Sequence, residues 1–172
     1  MKLYRAKVPA IAEECVRRLV EDGDIELADG MKEEAQKDFE AIMDDFLRRD
    51  SALREEIRDH MSTAGIPYDR YGKIRSQLAE ERDHPLGDDV ERFLVRQFVE
   101  NLMITPAIEE VYADDRAIYK KLMEVVKSHD VDEEEIREEA RGKIKNVSEG
   151  TVDYEIAMRN AVRDVKKRRG LL

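Results

Sequence analysis

Leu53-Arg54-Glu55-Glu56-Ile57-Arg58 returns 83 residues later as Ile136-Arg137-Glu138-Glu139-Ala140-Arg141. In each stretch the apolar residues stand four apart with charges between them, the period of a helix with one buried face. Working outward, the same offset keeps register without a gap over residues 8–61. Val16, Leu19, Ile25, Glu26 and Lys37 meet Val99, Leu102, Ile108, Glu109 and Lys120, and nine of 54 positions are identical. Apolar falls on apolar at Ile11/Leu94, Cys15/Phe98, Phe39/Leu122, Ile42/Val125, Met43/Val126 and Met61/Ile144. Unrelated helices do not hold register over so many turns. The chain therefore reads as two homologous halves, residues 1–87 and 88–172, and a pseudo-twofold axis is the expected relation between them. They join at Asp83-His84-Pro85-Leu86-Gly87-Asp88, where Pro and Gly interrupt the periodicity.

The first helix carries Val8, Ile11, Ala12, Cys15, Val16, Leu19 and Val20 on one stripe, with Pro9 in its first turn and Gly23 as a left-handed stop. Asp24 to Gly30 reads as a turn or short helix. From Met31 a second stripe runs through Ala35, Phe39, Ile42, Met43, Phe46 and Leu47, then Leu53, Ile57 and Met61, to Gly65-Ile66-Pro67. Asp50-Ser51 either caps a new helix there or lies inside one rod of about 34 residues, roughly 50 Å long. Further helices are expected over Tyr71–Arg82 and from an Asp88 or Asp89 cap to Thr105-Pro106. Others follow around Ile118–Val126, over Ile136, Ala140 and Ile144, and from Tyr154 to Val165 after a break at Ser148-Glu149-Gly150. No segment alternates with the period of a strand. An all-α fold is expected, more than about 70% helical and without a sheet. The stripes Val8, Ile11, Cys15, Leu19 and Val90, Phe93, Phe98, Leu102 should pack together, because neither helix can bury its apolar face alone.

The composition bears on partners. Charged residues make up 42% of the 172, against about a quarter in an ordinary domain, so an elongated shape with much polar surface is expected. The net charge of −10 opposes nucleic-acid binding. One basic run, Lys166-Lys167-Arg168-Arg169, suits either the negative end of a helix dipole or a phosphate- or partner-binding tail. An acidic run, Asp130 to Glu135, sits where a helix should start. Cys15 is the one cysteine, which excludes an internal disulfide and points to a reducing, cytoplasmic setting. Neither a membrane-spanning stretch nor a signal-peptide core is present.

Three segments together resemble a known family: Lys7-Val8-Pro9-x-Ile11-Ala12, Val16-x-x-Leu19-Val20-x-x-Gly23-x-Ile25-Glu26, and Tyr112-Ala113-Asp114-Asp115. With the duplication about 80 residues on, they resemble the bacterial domain of unknown function 507 family over essentially the whole chain. The resemblance implies a Y-shaped helical protein, with an antiparallel four-helix base and two long helical arms. It implies no activity, cofactor or catalytic residue.

Motifs for chemistry are sparse. Glu81-x-x-His84 is a single metal-ligand pair where a di-iron bundle needs two such pairs and two further Glu residues. A zinc site would need more cysteines, and P-loop, nucleophile-elbow and dinucleotide signatures are absent. Cys15 lies on a core stripe, as a packed residue would. No cofactor or metal is expected.

The repeated Arg-Glu-Glu-x-Arg is the remaining signal. Arg54 and Arg58, and likewise Arg137 and Arg141, share a helix face and repel each other unless a carboxylate or phosphate lies between them. They form either an exposed ion-pair ladder, Glu55 reaching Arg58 and Glu138 reaching Arg141, or a paired site for an anion or acidic peptide. Tyr68 and Tyr71 in the first half, with Tyr112 and Tyr119 in the second, are candidate recognition side chains or packing residues. The expected function is that of a non-enzymatic interaction or scaffold module with a protein partner. The alternative is a small-molecule or anion-binding protein with its site between the arms.

Overall fold

The structure, a computed structural model, describes residues 1–144 and 150–172. The expected break at Ser148-Glu149 lies outside the described residues. Helix accounts for 71% of the structure. α1 (Val8–Glu21) has Pro9 in its first turn and ends as Asp24 N–H donates to the Leu19 carbonyl at 2.9 Å, a reversal that Gly23 permits at φ 71°.

The segment that follows is a strand. β1 (Ile25–Leu27) pairs antiparallel with β2 (Ile108–Val111), Ile25 opposite Val111 and Glu26 opposite Glu110, with a bulge between Glu26 and Leu27. This ribbon overturns the expectation of a sheet-free fold and of a turn or short helix at residues 24–30. Strands of three and four residues are too short to display alternation, and each finds its partner in the other half of the chain. Ile25-Glu26 and Ile108-Glu109 occupy equivalent places in the duplication, so each strand is paired with its own copy.

α2 (Lys32–Ala64) is continuous over 33 residues, about 50 Å, and Asp50-Ser51 lies within it. The second half breaks at the corresponding place into α5 (Asp115–Ser128) and α6 (Glu133–Arg141). Asp132 caps α6, accepting from the backbone N–H groups of Glu134 and Glu135 at 2.8 and 3.1 Å, and the acidic run fills the first turn. Arg49 stands where Asp132 stands in the second copy and offers no cap acceptor. α6 stops at Arg141, so Ile144 is not part of it as expected: Gly142 and Lys143 form a turn. α3 (Tyr71–Glu81), α4 (Asp89–Leu102) and α7 (Val152–Arg168) complete the order. Asp88 occupies the N-cap position of α4, but its side chain makes no capping hydrogen bond.

α1 packs on α2 and α5, and α4 packs on α5 and α2. Val8, Ile11, Cys15, Leu19, Val90, Phe98 and Leu102 enter one core with Phe93 at its edge, each helix leaning on α2 and α5 rather than chiefly on the other. Phe39 of α2 stacks on Phe98 of α4 at 4.4 Å and 13°, both shut off from solvent. Cys15 is fully buried there, and burial pushes its thiol far above its ordinary pKa, leaving it inert.

Two smaller clusters lie beyond this core. The second half of α2 packs on α3 through Leu53, Ile57, Met61 and Ala79, and α6 packs on α7 through Ile136, Ala140 and Val165. The acidic and basic runs, far apart in sequence, meet on this second pair. Lys166 reaches Glu133 at 2.8 Å, Arg169 reaches Glu135 at 2.9 Å and Glu139 at 2.6 Å, and Arg168 also pairs with Glu139. Leu3 and Tyr4 join the pair to the rest, for Leu3 enters the central core while Tyr4 enters the α6–α7 cluster and donates its hydroxyl to Glu133. No described helix is long and apolar enough to cross a membrane.

Truncating Phe98 removes one ring of the stack from a site with no solvent to fill it. Phe98→Ala is expected to destabilise the fold by about 3–5 kcal/mol, read from the urea midpoint; a loss under about 1 kcal/mol would show that the stack is not central.

Candidate functional site

Residue 50 is the anomaly in α2. The buried stripe runs Ala35, Phe39, Met43, Phe46, Asp50, Leu53, Ile57, Met61, and Asp50 is its only charged member. It is 7% exposed, and a buried carboxylate needs partners. Arg54, one turn on, pairs with it; Arg75 of α3 lies 3.6 Å away, and His84 Nε2 lies 3.4 Å away. The chain reaches Arg75 because Gly65 takes φ 63° and lets α2 end with Ile66 N–H donating to Met61 at 2.9 Å, after which α3 folds back along α2. Arg82 on Glu56, at 3.2 Å through Nε, closes the far end of that pair.

His84 follows Asp83, which stands at φ 48°, a left-handed conformation that Asp tolerates better than most residues. That turn buries the imidazole, stacked on Phe46 at 5.1 Å and 9°. Its Nε2 is within ion-pair distance of Asp50 but not aligned for a hydrogen bond. Burial lowers the His84 pKa and outweighs the raising effect of Asp50, while Arg49 and Arg75 lower it further.

Around this hub opens a cavity of about 630 Å³. α2 supplies Asp50 and Arg54, the turn before α3 supplies Tyr68, α3 supplies Tyr71 and Arg75, the chain start supplies Lys2, and α6 supplies Arg137 from the facing helix pair. Four cationic side chains thus face one carboxylate in a chain of net charge −10. Arg54 and Arg75 are partly satisfied by Asp50, and Arg75 Nε is buried with no hydrogen-bond partner among the described residues. Arg137 has no ion-pair partner among them. Lys2 lies 3.5 Å from Glu133; burial lowers its pKa, which Glu133 partly restores and Lys166 and Arg54 lower again. A recess of about 730 Å³ shares Pro85 with this cavity, but there Glu80, Asp83, Asp89 and Glu100 outnumber Arg92 and Arg96. It offers no excess of positive charge.

Four of the seven residues expected to form a site, Arg54, Arg137, Tyr68 and Tyr71, therefore line one cavity. Arg58 lies outside its lining, its Nε on the Arg54 carbonyl at 3.3 Å, and Arg141 pairs with Glu138 as the ladder reading expected. The Glu55–Arg58 rung does not form, since Arg54 turns back to Asp50. Tyr112 lies at the end of the ribbon, where it donates to Glu26, and that bond raises its pKa. Asp50, Arg75 and Lys2 belong to the cavity without having been singled out from the sequence. Asp50 carried a readable signal, a carboxylate at an inward position of an apolar stripe. Among the described residues no group of three or more His, Cys, Asp and Glu is placed to hold a metal ion.

Comparison with known families matches residues 1–171 to a family described as proteins of unknown function, DUF507. The chain belongs to this family. Among curated proteins none matches.

Asp50 and Arg137 should behave oppositely. Asp50→Asn is expected to cost about 1–3 kcal/mol by leaving its partners unpaired, with exposure of Arg54 and Arg75 limiting the loss. Arg137→Gln, which removes an unpaired charge, should fall within about 0.5 kcal/mol of wild type in the same urea titration. His84 adds a pH dependence. Its lowered folded-state pKa means that the unfolded chain binds more protons, so stability is full above the ordinary histidine range near 6.5 and declines as pH falls through it. The urea midpoint should drop between about pH 7 and pH 5 and flatten in His84→Gln; an unchanged slope would remove His84 as its source.

Proposed function

We propose that this protein is a binding module that captures an anionic group in the cavity between its α2–α3 and α6–α7 arms. The observation that carries this reading is that Arg54 and Arg137, equivalent in the duplication, line the same cavity although they lie on different helices. Guanidinium groups held near each other without full compensation repel. A carboxylate or phosphate that bridges them relieves the repulsion through charge-assisted, often bidentate hydrogen bonds.

The architecture we infer around this site is a four-helix base of α1, α4, α5 and the first half of α2, with two arms in a Y and a pseudo-twofold axis through the ribbon. The packing partners support it. A shift of 83 residues turns the α1–α2 contact into α4–α5 and the α1–α5 contact into α4–α2, and the strands pair antiparallel as a local axis requires. The inert Cys15 and the absence of a long apolar helix suit a cytoplasmic protein, which we take as its setting.

A second reading, a scaffold for a protein partner, rests on the exposed apolar side chains flanking the ribbon. Ile104 is 80% exposed, and Met103, Tyr112 and Val20 are also open to solvent. Val20 and Met103 are equivalent positions, so such a surface would be present twice.

Thermal unfolding with inorganic pyrophosphate, against sodium chloride of matched ionic strength, tests the first reading. Saturation to about a hundred times Kd stabilises the fold by about 2.7 kcal/mol, or roughly 5–10 °C for a chain of this size. The shift should vanish in Arg54→Gln/Arg137→Gln. No shift in the wild type with phosphate, sulfate or pyrophosphate leaves the scaffold reading in its place.

A further inference from the structure

We propose that the anion taken by this cavity is the phosphate group of a nucleoside phosphate, whose base stacks on Tyr68. The inference rests on the anion-binding reading above and adds the chemistry of the rest of the ligand. Tyr68, Tyr71 and Arg75 stand three and four residues apart, so two rings and a guanidinium follow one another along one face of the turn and α3. From Tyr68 to Arg75 the rise is about 10 Å, comparable with the reach from a nucleobase to its first or second phosphate.

The two rings are already stacked, with centroids 5.5 Å apart and planes at 27°. Tyr71 is the anchored member, packed against the Leu53–Ile57–Met61 cluster, while Tyr68 is 81% exposed and lines the cavity. An aromatic ring held in place on one face and open on the other is a stacking platform, and stacking needs no particular base because every base has a π-face. Purines, with the larger ring system, should bind more tightly than pyrimidines. At the other end of the run Arg54, Arg75 and Arg137 supply guanidinium groups from three helices, the donor type that matches phosphate oxygens two at a time. A volume of about 630 Å³ is that of a site for a small molecule, larger than a bare phosphate needs.

Isothermal titration of the wild-type chain with adenosine diphosphate, guanosine diphosphate, ribose 5-phosphate and pyrophosphate separates this proposal from the one beneath it. The nucleotides should bind at least about tenfold more tightly than the two ligands without a base. Tyr68→Ala should lower nucleotide affinity by about 5- to 100-fold and leave pyrophosphate binding unchanged, while Tyr68→Phe retains the wild-type value. Arg54→Gln/Arg137→Gln should weaken nucleotide and pyrophosphate alike. If pyrophosphate binds as tightly as either nucleotide, or Tyr68→Ala binds nucleotide at wild-type strength, the nucleoside inference is overturned and the anion site stands. If no phosphate compound binds, both fall.

Discussion

Phe39 against Phe98 is the contact on which the rest of the molecule depends. Each half of a chain that is 42% charged carries enough apolar residues for a stripe on each helix but too few to enclose a core. The first half brings Phe39 from α2 and the second brings Phe98 from α4, and only together do they close the space between α1, α2, α4 and α5. Everything outside that core is placed by it. The second half of α2 carries Asp50 and Arg54 outward on a rigid rod, and α3 returns along it with Tyr71 and Arg75.

α6 and α7 are held differently. Their own cluster is small, and the start of the chain fixes them by sending Leu3 one way and Tyr4 the other. Glu133 is the electrostatic counterpart of this strap, accepting from Tyr4 and facing Lys2 and Lys166. Arg137 lies one helical turn beyond Glu133 on α6, so the strap that orients α6 also brings Arg137 to the cavity wall. The positive charge of that wall is maintained by an arrangement in which the other cations of the region, Lys166, Arg168 and Arg169, are matched by carboxylates of α6.

The elements legible in the sequence were those with long periods. The α1 stripe, the continuous α2, the connector at Asp83–Asp88 and the duplication all follow from apolar spacing over many turns. What escaped was local in one copy and completed by the other. Ile25–Leu27 and Ile108–Val111 are strands only because they face each other, and neither has the length to announce it. α6 ends early because Gly142 and Lys143 turn, although Ile144 prolongs the apolar spacing. In the site, Arg54 and Arg137 were found by repetition. Asp50, equally readable as an interior carboxylate, was set aside as a helix cap, and Lys2 and Arg75 carry no pattern at all because only tertiary packing brings them to the cavity.

The ribbon and the aromatic stack have a consequence for synthesis. Helical proteins commonly fold on contacts near in sequence, but here the defining ones join residues separated by more than half a half-repeat, and Tyr4 meets Glu133 across 129 residues. A chain leaving the ribosome presents α1 with its buried face bare until α4 and α5 have followed. Between residues 8 and 128 that interval is on the order of 10 s at ordinary rates of elongation. The two halves, alike enough to have arisen by duplication, cannot mature in turn as two domains would: the first must wait for the second, and during the wait its apolar stripe is a surface on which chaperones can act.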